Sequence, residues 1–354
     1  MINFYKNKKI LITGATGFKG SWLSLWLKML GANVYGVGLK PINKDDLFNK
    51  IELQKKIKYK FFDIRDINSL DLIFKKFKPT IVFHLAGQPI VTNSYLEPLY
   101  TLDVNIMGTA NILELTKKYT FVRSAVFITS DKCYENKEQS TGYKETDKIG
   151  GKDPYSASKA AAEILIRSYR ESFFKKKKIT GIASTRAGNV IGGGDLTNAR
   201  IVPDCIKSLI KNKKILIRNP NSNRPWQHVL EPLRGYLMLG MKLYKYPKKY
   251  SSAWNFGSDA KSATDVRKIA NLIVETWGNG KLVFSKKKGV FEHNLLQLNI
   301  NKSKKYLNWK PVYSVKKSVI ETTNWYKYVF VNKKNAYEIS KKQILEYMNE
   351  CKWN

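Results

Sequence analysis

Acid is scarce in this chain. Its 354 residues hold 28 Asp and Glu against 63 Lys and Arg, a formal charge of +35. Such a balance invites a nucleic-acid partner, but its distribution argues against one. Only 10 of the basic residues are arginine, and the lysines sit everywhere, interleaved with Asn and Ile. That pattern is a compositional bias rather than a binding face, and the runs Lys175–Lys178 and Lys286–Lys288 fit solvated loops. No nucleic acid is expected, although a positive field helps attract a phosphorylated small molecule. Cysteine is scarce too. Cys133, Cys205 and Cys351 are odd in number and far apart, which excludes a disulfide framework and metal-ligand spacing and suits reduced thiols in a cytoplasm. No metal is expected. Long apolar runs are missing: no stretch of about 18 uncharged apolar residues occurs, so no membrane span is expected. Met1 to Lys6 runs straight into a strand signal and leaves no room for a signal peptide, so the expected location is cytoplasmic.

What is present is an ordinary globular composition, 43% hydrophobic, and enough length for one large lobe or two fused ones. Lys9-Ile10-Leu11-Ile12-Thr13 is a short apolar run, as a buried parallel strand requires. Gly14-Ala15-Thr16-Gly17-Phe18-Lys19-Gly20 follows at once, and Ser21 to Leu30 then shows helical periodicity that stops at Gly31. A glycine-rich turn between strand and helix is a pyrophosphate cradle. Glycines let the backbone approach, and the helix start offers free N–H groups and partial positive charge.

The second strand, Asn33 to Leu39, ends in Leu39-Lys40-Pro41 with no acid for a ribose, so this position leaves NAD and NADP open. Lys60 to Phe62 leads to Asp63-Ile64, where an acid can meet an adenine amine. Thr80 to Gln88 is a buried strand and turn in which Ala86 and Gly87 are small enough to let a cofactor pass; His84 within it reads as structural. Asp103-Val104-Asn105 opens a helix through Lys118. The strand Ala125 to Ser130 ends in Ser130-Asp131-Lys132, a hydroxyl, an acid and a base at a carboxyl end, where open α/β sheets bind ligands.

Asp153-Pro154-Tyr155-Ser156-Ala157-Ser158-Lys159 starts a further helix, with Pro154 suited to the first turn. Tyr155 and Lys159 share one face, one turn apart. A free tyrosine has a pKa of about 10, and the neighbouring ammonium is expected to lower it and make an acid–base pair. After the strand Thr180 to Arg186, the glycine-rich stretch Asn189 to Asp195 can fold over a diphosphate, with Arg200 and Arg224 as charge-assisted partners.

The order Gly14-x-x-Gly17-x-x-Gly20, Ser130, Tyr155-x-x-x-Lys159 resembles the extended short-chain dehydrogenase/reductase family, over the chain to about residue 328. Ser130-Asp131-Lys132-Cys133-Tyr134-Glu135-Asn136 resembles the sugar-nucleotide 4,6-dehydratases within it. Lys132, where other branches typically carry glutamate, is similar to the branch acting on CDP-glucose, as are Arg186 to Asp195 and Arg224 to Pro232. One departure is Leu196, where the family usually shows tryptophan.

The resemblance implies an α/β fold with a Rossmann-type doubly wound parallel sheet and a smaller C-terminal α/β substrate lobe. Residues 1–185 would form the NAD-binding domain with the Tyr/Lys helix, and 186–330 mainly the sugar-nucleotide lobe, with some segments returning to the sheet. A Lys-rich extension, 331–354, would follow, with Leu345, Tyr347 and Met348 on a short packing helix. The implied cofactor is NAD rather than NADP, held by Gly14, Thr16, Gly17, Phe18, Lys19 and Gly20, by Asp63 and Ile64, by Leu85, Ala86 and Gly87, and by Tyr155 and Lys159. The implied substrate is a nucleotide sugar, CDP-glucose, contacted by Gln88, Asn105, Asn189, Arg200, Arg224 and His228. Tyr155 would take the 4-hydroxyl proton while Lys159 lowers its pKa and holds the nicotinamide ribose. Ser130 would bond the reacting oxygen, Asp131 protonate the departing 6-hydroxyl, and Lys132 serve the C5 proton. A homodimer or homotetramer is the implied assembly. A 4-epimerase or reductase of the same family is the alternative, and it would not need Asp131 and Lys132.

Overall fold

Short apolar runs set the centre of the molecule. In the computed structural model, which describes residues 2–139, 141–175, 179–198, 200–259, 264–285 and 296–353, seven of them form one sheet. They are β1 (Lys9–Thr13), β2 (Asn33–Gly38), β3 (Lys58–Phe61), β4 (Ile81–His84), β5 (Ser124–Ile128), β6 (Gly181–Ala187) and β7 (Ala253–Phe256). All pairings are parallel, in the order β7-β6-β5-β4-β1-β2-β3. The order reverses at the β1–β4 pair, where Thr13 lies opposite His84. In a doubly wound sheet the crevice outside the carboxyl ends at this point is the natural ligand site.

Successive residues of a strand face opposite sides of the sheet, and here they divide the core in two. Ile10, Ile12, Phe83, Val126 and Ile128 join the cluster built on Trp22, Trp26 and Leu233. Leu11, Val82, Ala125 and Phe127 join a second one with Phe74, Ile112 and Ile166. The covering helices are α1 (Phe18–Met29), α2 (Ile67–Phe77), α3 (Gly108–Lys118), α4 (Pro154–Tyr169), α5 (Ile201–Ile210), α6 (Leu230–Lys245), α7 (Val266–Trp277), α8 (Val315–Tyr326) and α9 (Ala336–Glu350). Asp66, Asp153, Asp265, Ser314 and Asn335 cap their helices by accepting backbone N–H bonds. Helix α1 begins instead at Gly17, with no side-chain cap.

Beyond β6 the chain adds two-stranded ribbons: Val190–Ile191 with Gln227–His228, Asn223–Arg224 with Thr264–Asp265, and Ile215–Ile217 with Leu282–Phe284. The lysine runs at 176–178 and 286–288 lie outside the described residues.

The C-terminal stretch differs from its expectation. Helix α9 has 15 residues and packs on α1 and α8. Its inward face is Ile344 and Tyr347, while Leu345 points outward at 44% exposure. The rings of Tyr347 and Trp353 meet Trp26, and the Tyr347 hydroxyl donates to the buried Glu231 carboxylate at 2.7 Å.

Candidate active site

The glycine turn is shaped by close approach. Gly14 adopts φ +71°, and a Cβ there would lie 2.7 Å from the Ala86 backbone nitrogen; a Cβ on Gly20 would lie 1.9 Å from the Gly14 carbonyl oxygen. The turn is thereby pressed against the exit of β4, where Leu85 N donates to Thr13 O at 3.0 Å. Thr16 packs over Gly38 at the end of β2, and Phe18 reaches toward Gly192 in the loop after β6. An uncapped helix start beside bare glycine backbone fits a pyrophosphate. Gly87 lets Lys159 and Asn105 approach the exit of β4, since a Cβ there would lie 2.9 Å from Lys159 Nζ and 2.8 Å from Asn105 Oδ1. These residues suit a dinucleotide running from the α1 start toward Lys159. Asp63 and Ile64 follow β3 on the same edge. The Asp63 carboxylate accepts from Arg65 N and Nη2, each at 2.9 Å, and Ile64 is buried beneath Gly108.

The exit of β5 and the start of α4 carry the reactive groups. Asp153 caps α4, accepting from Ser156 N at 2.9 Å, and Pro154 occupies the first turn. Tyr155 and Lys159 therefore face inward one turn apart, each 8% exposed. Ser130 stands near enough to the Tyr155 hydroxyl to favour its phenolate. Ser130 Oγ donates to Asp131 Oδ1 at 3.0 Å and accepts from Lys132 N at 3.2 Å. Asp131 lies against the exit of β6, where a Cβ on Gly188 would come within 2.1 Å of its Oδ2.

Burial sets the charges. It pushes Tyr155 up to about 12, with Ser130 and Arg200 pulling the other way. The expected acidification by Lys159 does not hold in this state: desolvation of the phenol exceeds the pull of nearby cations. Burial lowers Lys159 to about 8 and Lys19 to about 8, the latter with help from Arg200, and it raises Asp131. Lys19 stands among Asp131, Lys159, Asp195 and Arg200. It therefore joins the glycine turn to the catalytic cluster.

Three expected substrate contacts are turned inward instead. Asn105 is 1% exposed; its Oδ1 accepts from Gln88 N at 2.8 Å, and its Nδ2 donates to Gln88 O at 3.2 Å and Ser158 Oγ at 2.8 Å. It ties the exit of β4 to α4. Gln88 spends its amide on Ile90 and Thr101. His228 is fully buried between the Trp22 and Tyr313 rings, with Nδ1 accepting from Leu230 N, and burial lowers it to about 3. The other three lie in the chain after β6. Asn189 takes a left-handed φ of 35° and accepts from Gln227 N at 3.1 Å. Arg200 pairs with Asp195 at 2.9 Å. Arg224 stands on the ribbon opposite Thr264.

Sequence reasoning missed a buried network behind the cluster. Glu163, a further turn along the Tyr155/Lys159 face, pairs with Arg186 at 2.8 Å and accepts from Thr129 Oγ1 at 2.6 Å and Ser184 Oγ at 2.8 Å. Burial alone would raise Glu163, but Arg186 and these donors hold it below the ordinary range. The spacing of four from Lys159 was the available signal.

The sequence profile of the family described as GDP-mannose 4,6 dehydratase matches residues 11–322. The chain is 40% identical to the CDP-glucose 4,6-dehydratase of Salmonella typhimurium over 352 residues, 98% of each chain. Among solved structures, it is similar to the dTDP-glucose 4,6-dehydratase of Bacillus anthracis in complex with NAD, with TM-score 0.75, 20% identity, and coverage of 90% of this chain and 96% of that one. A UDP-glucose 4-epimerase of Thermotoga maritima with UDP-glucose gives TM-score 0.78 at 22% identity, covering 90% and 98%. A family match over most of the chain, and a full-length relative at this identity, join the motifs already placed at the carboxyl ends of β1, β4 and β5: this chain belongs to the GDP-mannose 4,6 dehydratase family of extended short-chain dehydrogenase/reductases.

Proposed function

We propose that the chain converts CDP-glucose to CDP-4-keto-6-deoxyglucose by oxidation at C4, loss of water across C5 and C6, and reduction at C6. NAD, when bound, supplies a reversible hydride acceptor for the first and last of these steps. The observation that carries the reading is Asp131, hydrogen-bonded to Ser130 at the exit of β5 and packed against the start of α4 that carries Tyr155. A redox site needs the tyrosine alone, whereas elimination of water also needs an acid.

Tyr155 takes the proton from the 4-hydroxyl, and Lys159, one turn on, would hold the nicotinamide ribose. The 4-ketone acidifies C5–H. Asp131, whose carboxyl burial raises, is placed to give a proton to the 6-hydroxyl as it leaves. Lys132, half-buried beside Asp131, serves the C5 proton. Arg200 and the 189–195 loop meet the diphosphate. CDP is favoured by the full-length similarity to the Salmonella enzyme and by Lys132. A 4-epimerase or reductase would leave Asp131 without work.

We also propose a homodimer. Tyr95, Leu96, Leu99, Met107 and Ile164 are large apolar side chains left exposed on α4 and on the segment before α3. A cytoplasmic site is consistent with three unpaired thiols, and no helix among the described residues is long and apolar enough to cross a membrane.

Purified protein incubated with NAD and CDP-glucose should give a product with the alkaline absorbance of a 4-keto sugar. Absence of product with every nucleotide hexose tried would overturn the assignment. An epimerised hexose without loss of water would establish the alternative.

A further inference from the structure

His84 ends β4 where the sheet order reverses, opposite Thr13 on β1 and Phe127 on β5, and it is 3% exposed. Its ring is held at both nitrogens. Nδ1 lies 2.7 Å from Thr13 Oγ1, and Nε2 lies 3.1 Å from Thr109 Oγ1. Thr13 Oγ1 also accepts from Ala86 N at 3.3 Å, and Thr109 Oγ1 donates to the Asn105 carbonyl at 2.7 Å. Thr13, Thr109 and Asn105 are buried with it.

These partners place every hydrogen. A threonine hydroxyl has one hydrogen and two lone pairs. Thr109 gives its hydrogen to a carbonyl, which can only accept, so it offers His84 a lone pair and Nε2 must carry the ring hydrogen. Burial lowers His84 to about 3, and the nearby Lys159 ammonium acts in the same direction, so the ring is neutral and has no second hydrogen. Nδ1 is therefore bare and accepts from the Thr13 hydroxyl, which takes Ala86 N–H on a lone pair. Donation runs one way, from Ala86 to Thr13, His84, Thr109 and the Asn105 carbonyl. Both ends of this chain stand at the cofactor crevice. Ala86 N is the atom that a Cβ on Gly14 would meet at 2.7 Å, so its place sets the gap between the glycine turn and the exit of β4. Asn105 braces the next two residues: its Oδ1 accepts from Gln88 N at 2.8 Å and lies against Gly87 beside Lys159 Nζ.

We propose that His84 is a positioning residue for the dinucleotide: as the neutral Nε2–H tautomer it ties Thr13 to Thr109 and thereby fixes residues 86–88 on the path from the glycine turn to Lys159. It touches neither cofactor nor substrate and moves no proton. The other tautomer would leave no hydrogen between Nε2 and Thr109, and a charged ring would set a second cation near Lys159. The role concerns the cofactor alone, so it holds for a dehydratase, an epimerase or a reductase alike.

The test uses the full-length, cofactor-free protein. The chain has 3 histidines, so nitrogen magnetic resonance on isotope-labelled histidine gives few signals, and the one lost in His84→Leu belongs to His84. It should show a hydrogen on Nε2 and a bare Nδ1, unchanged from about pH 5 to 8. A hydrogen on Nδ1, or a titration within that range, overturns the proposal. Calorimetry with NAD and with AMP, which has no nicotinamide half, then reads the positioning. His84→Leu should bind NAD at least about tenfold more weakly and AMP as wild type does. Equal weakening of both ligands, or of neither, overturns the proposal, because a general loosening of the fold does not single out one half of the cofactor. Thr13→Val keeps the side-chain shape and removes the hydroxyl, and it should weaken NAD as His84→Leu does. The double variant should bind no more weakly than either single one, since both cut the same chain. Additive losses overturn it. Should His84→Leu fail to fold, Thr13→Val, Thr109→Val and their double variant carry the same comparison, with the resonance moved by both single variants taken as that of His84.

Discussion

Glu163 and Arg186 meet at 2.8 Å inside the protein, each side chain 2% exposed. The pair joins α4 to β6, and through Thr129 it also holds the end of β5 one residue before Ser130. Removing one partner of a buried pair leaves the other charge uncompensated, at about 3–5 kcal/mol. Glu163→Gln should lower the unfolding free energy by that order, measured by urea denaturation. A loss under about 1 kcal/mol, the worth of an exposed pair, would show that Arg186 finds other compensation in Tyr134 and the Glu145 carbonyl.

This junction also shows where reading the chain succeeds and where it stops. The strands were legible because a parallel strand covered on both faces must be a continuous apolar run, and their ends were misplaced by only a residue or two. Ser130-Asp131-Lys132 and Tyr155/Lys159 were legible because chain order and helical period place them. The direction of Asn105, Gln88 and His228 was not. A polar side chain that closes a turn and one that meets a ligand look alike until the neighbouring elements are packed. The sign of the Tyr155 shift failed for a related reason: an adjacent lysine is visible in sequence, and the depth of burial is not. Helix α9 was underestimated because its exposed lysines conceal the Ile344/Tyr347 face.

Gly188 separates positioning of the acid from the redox step. A Cβ there would lie 2.1 Å from Asp131 Oδ2, so Gly188→Ala must push the carboxylate away from its place. Displacement of a reacting group by about 1 Å can cost about a hundredfold. Oxidation at C4 should continue while elimination falls by at least about tenfold, seen as reduced cofactor that persists through the turnover. Equal loss of both steps would mean that the substitution disturbs the whole sheet edge.

Leu96 and Leu99 are each 79% exposed, and Leu99 and Met107 line one surface hollow. A charge in the middle of an apolar dimer face is left desolvated and unpaired. Leu99→Glu should shift the molar mass measured by light scattering from dimer to monomer, with an unchanged circular dichroism spectrum. Wild-type protein that is already monomeric at high concentration would remove the dimer.

Two desolvated ammonium groups, buried Lys159 and half-buried Lys19, make stability depend on pH. Burial lowers Lys159 from 10.5 to about 8. Below about pH 8 the lysine is charged in both folded and unfolded chains, and the folded protein bears the whole desolvation penalty, about 3 kcal/mol for a shift of this size. Between about 8 and 10.5 the unfolded chain binds more protons than the folded one, so stability rises with pH across that window. Above it both are neutral and the penalty is gone. Lys19, also lowered to about 8, acts in the same direction. Lys159→Met should therefore be more stable than wild type at neutral pH, and its rise through the alkaline window should be smaller but not absent, because Lys19 remains. Urea midpoints from pH 7 to 10.5 in the cofactor-free proteins supply the measurement. Parallel curves for the two would place the Lys159 ammonium in contact with water or a counter-charge, and would remove the buried cation from the account of this site.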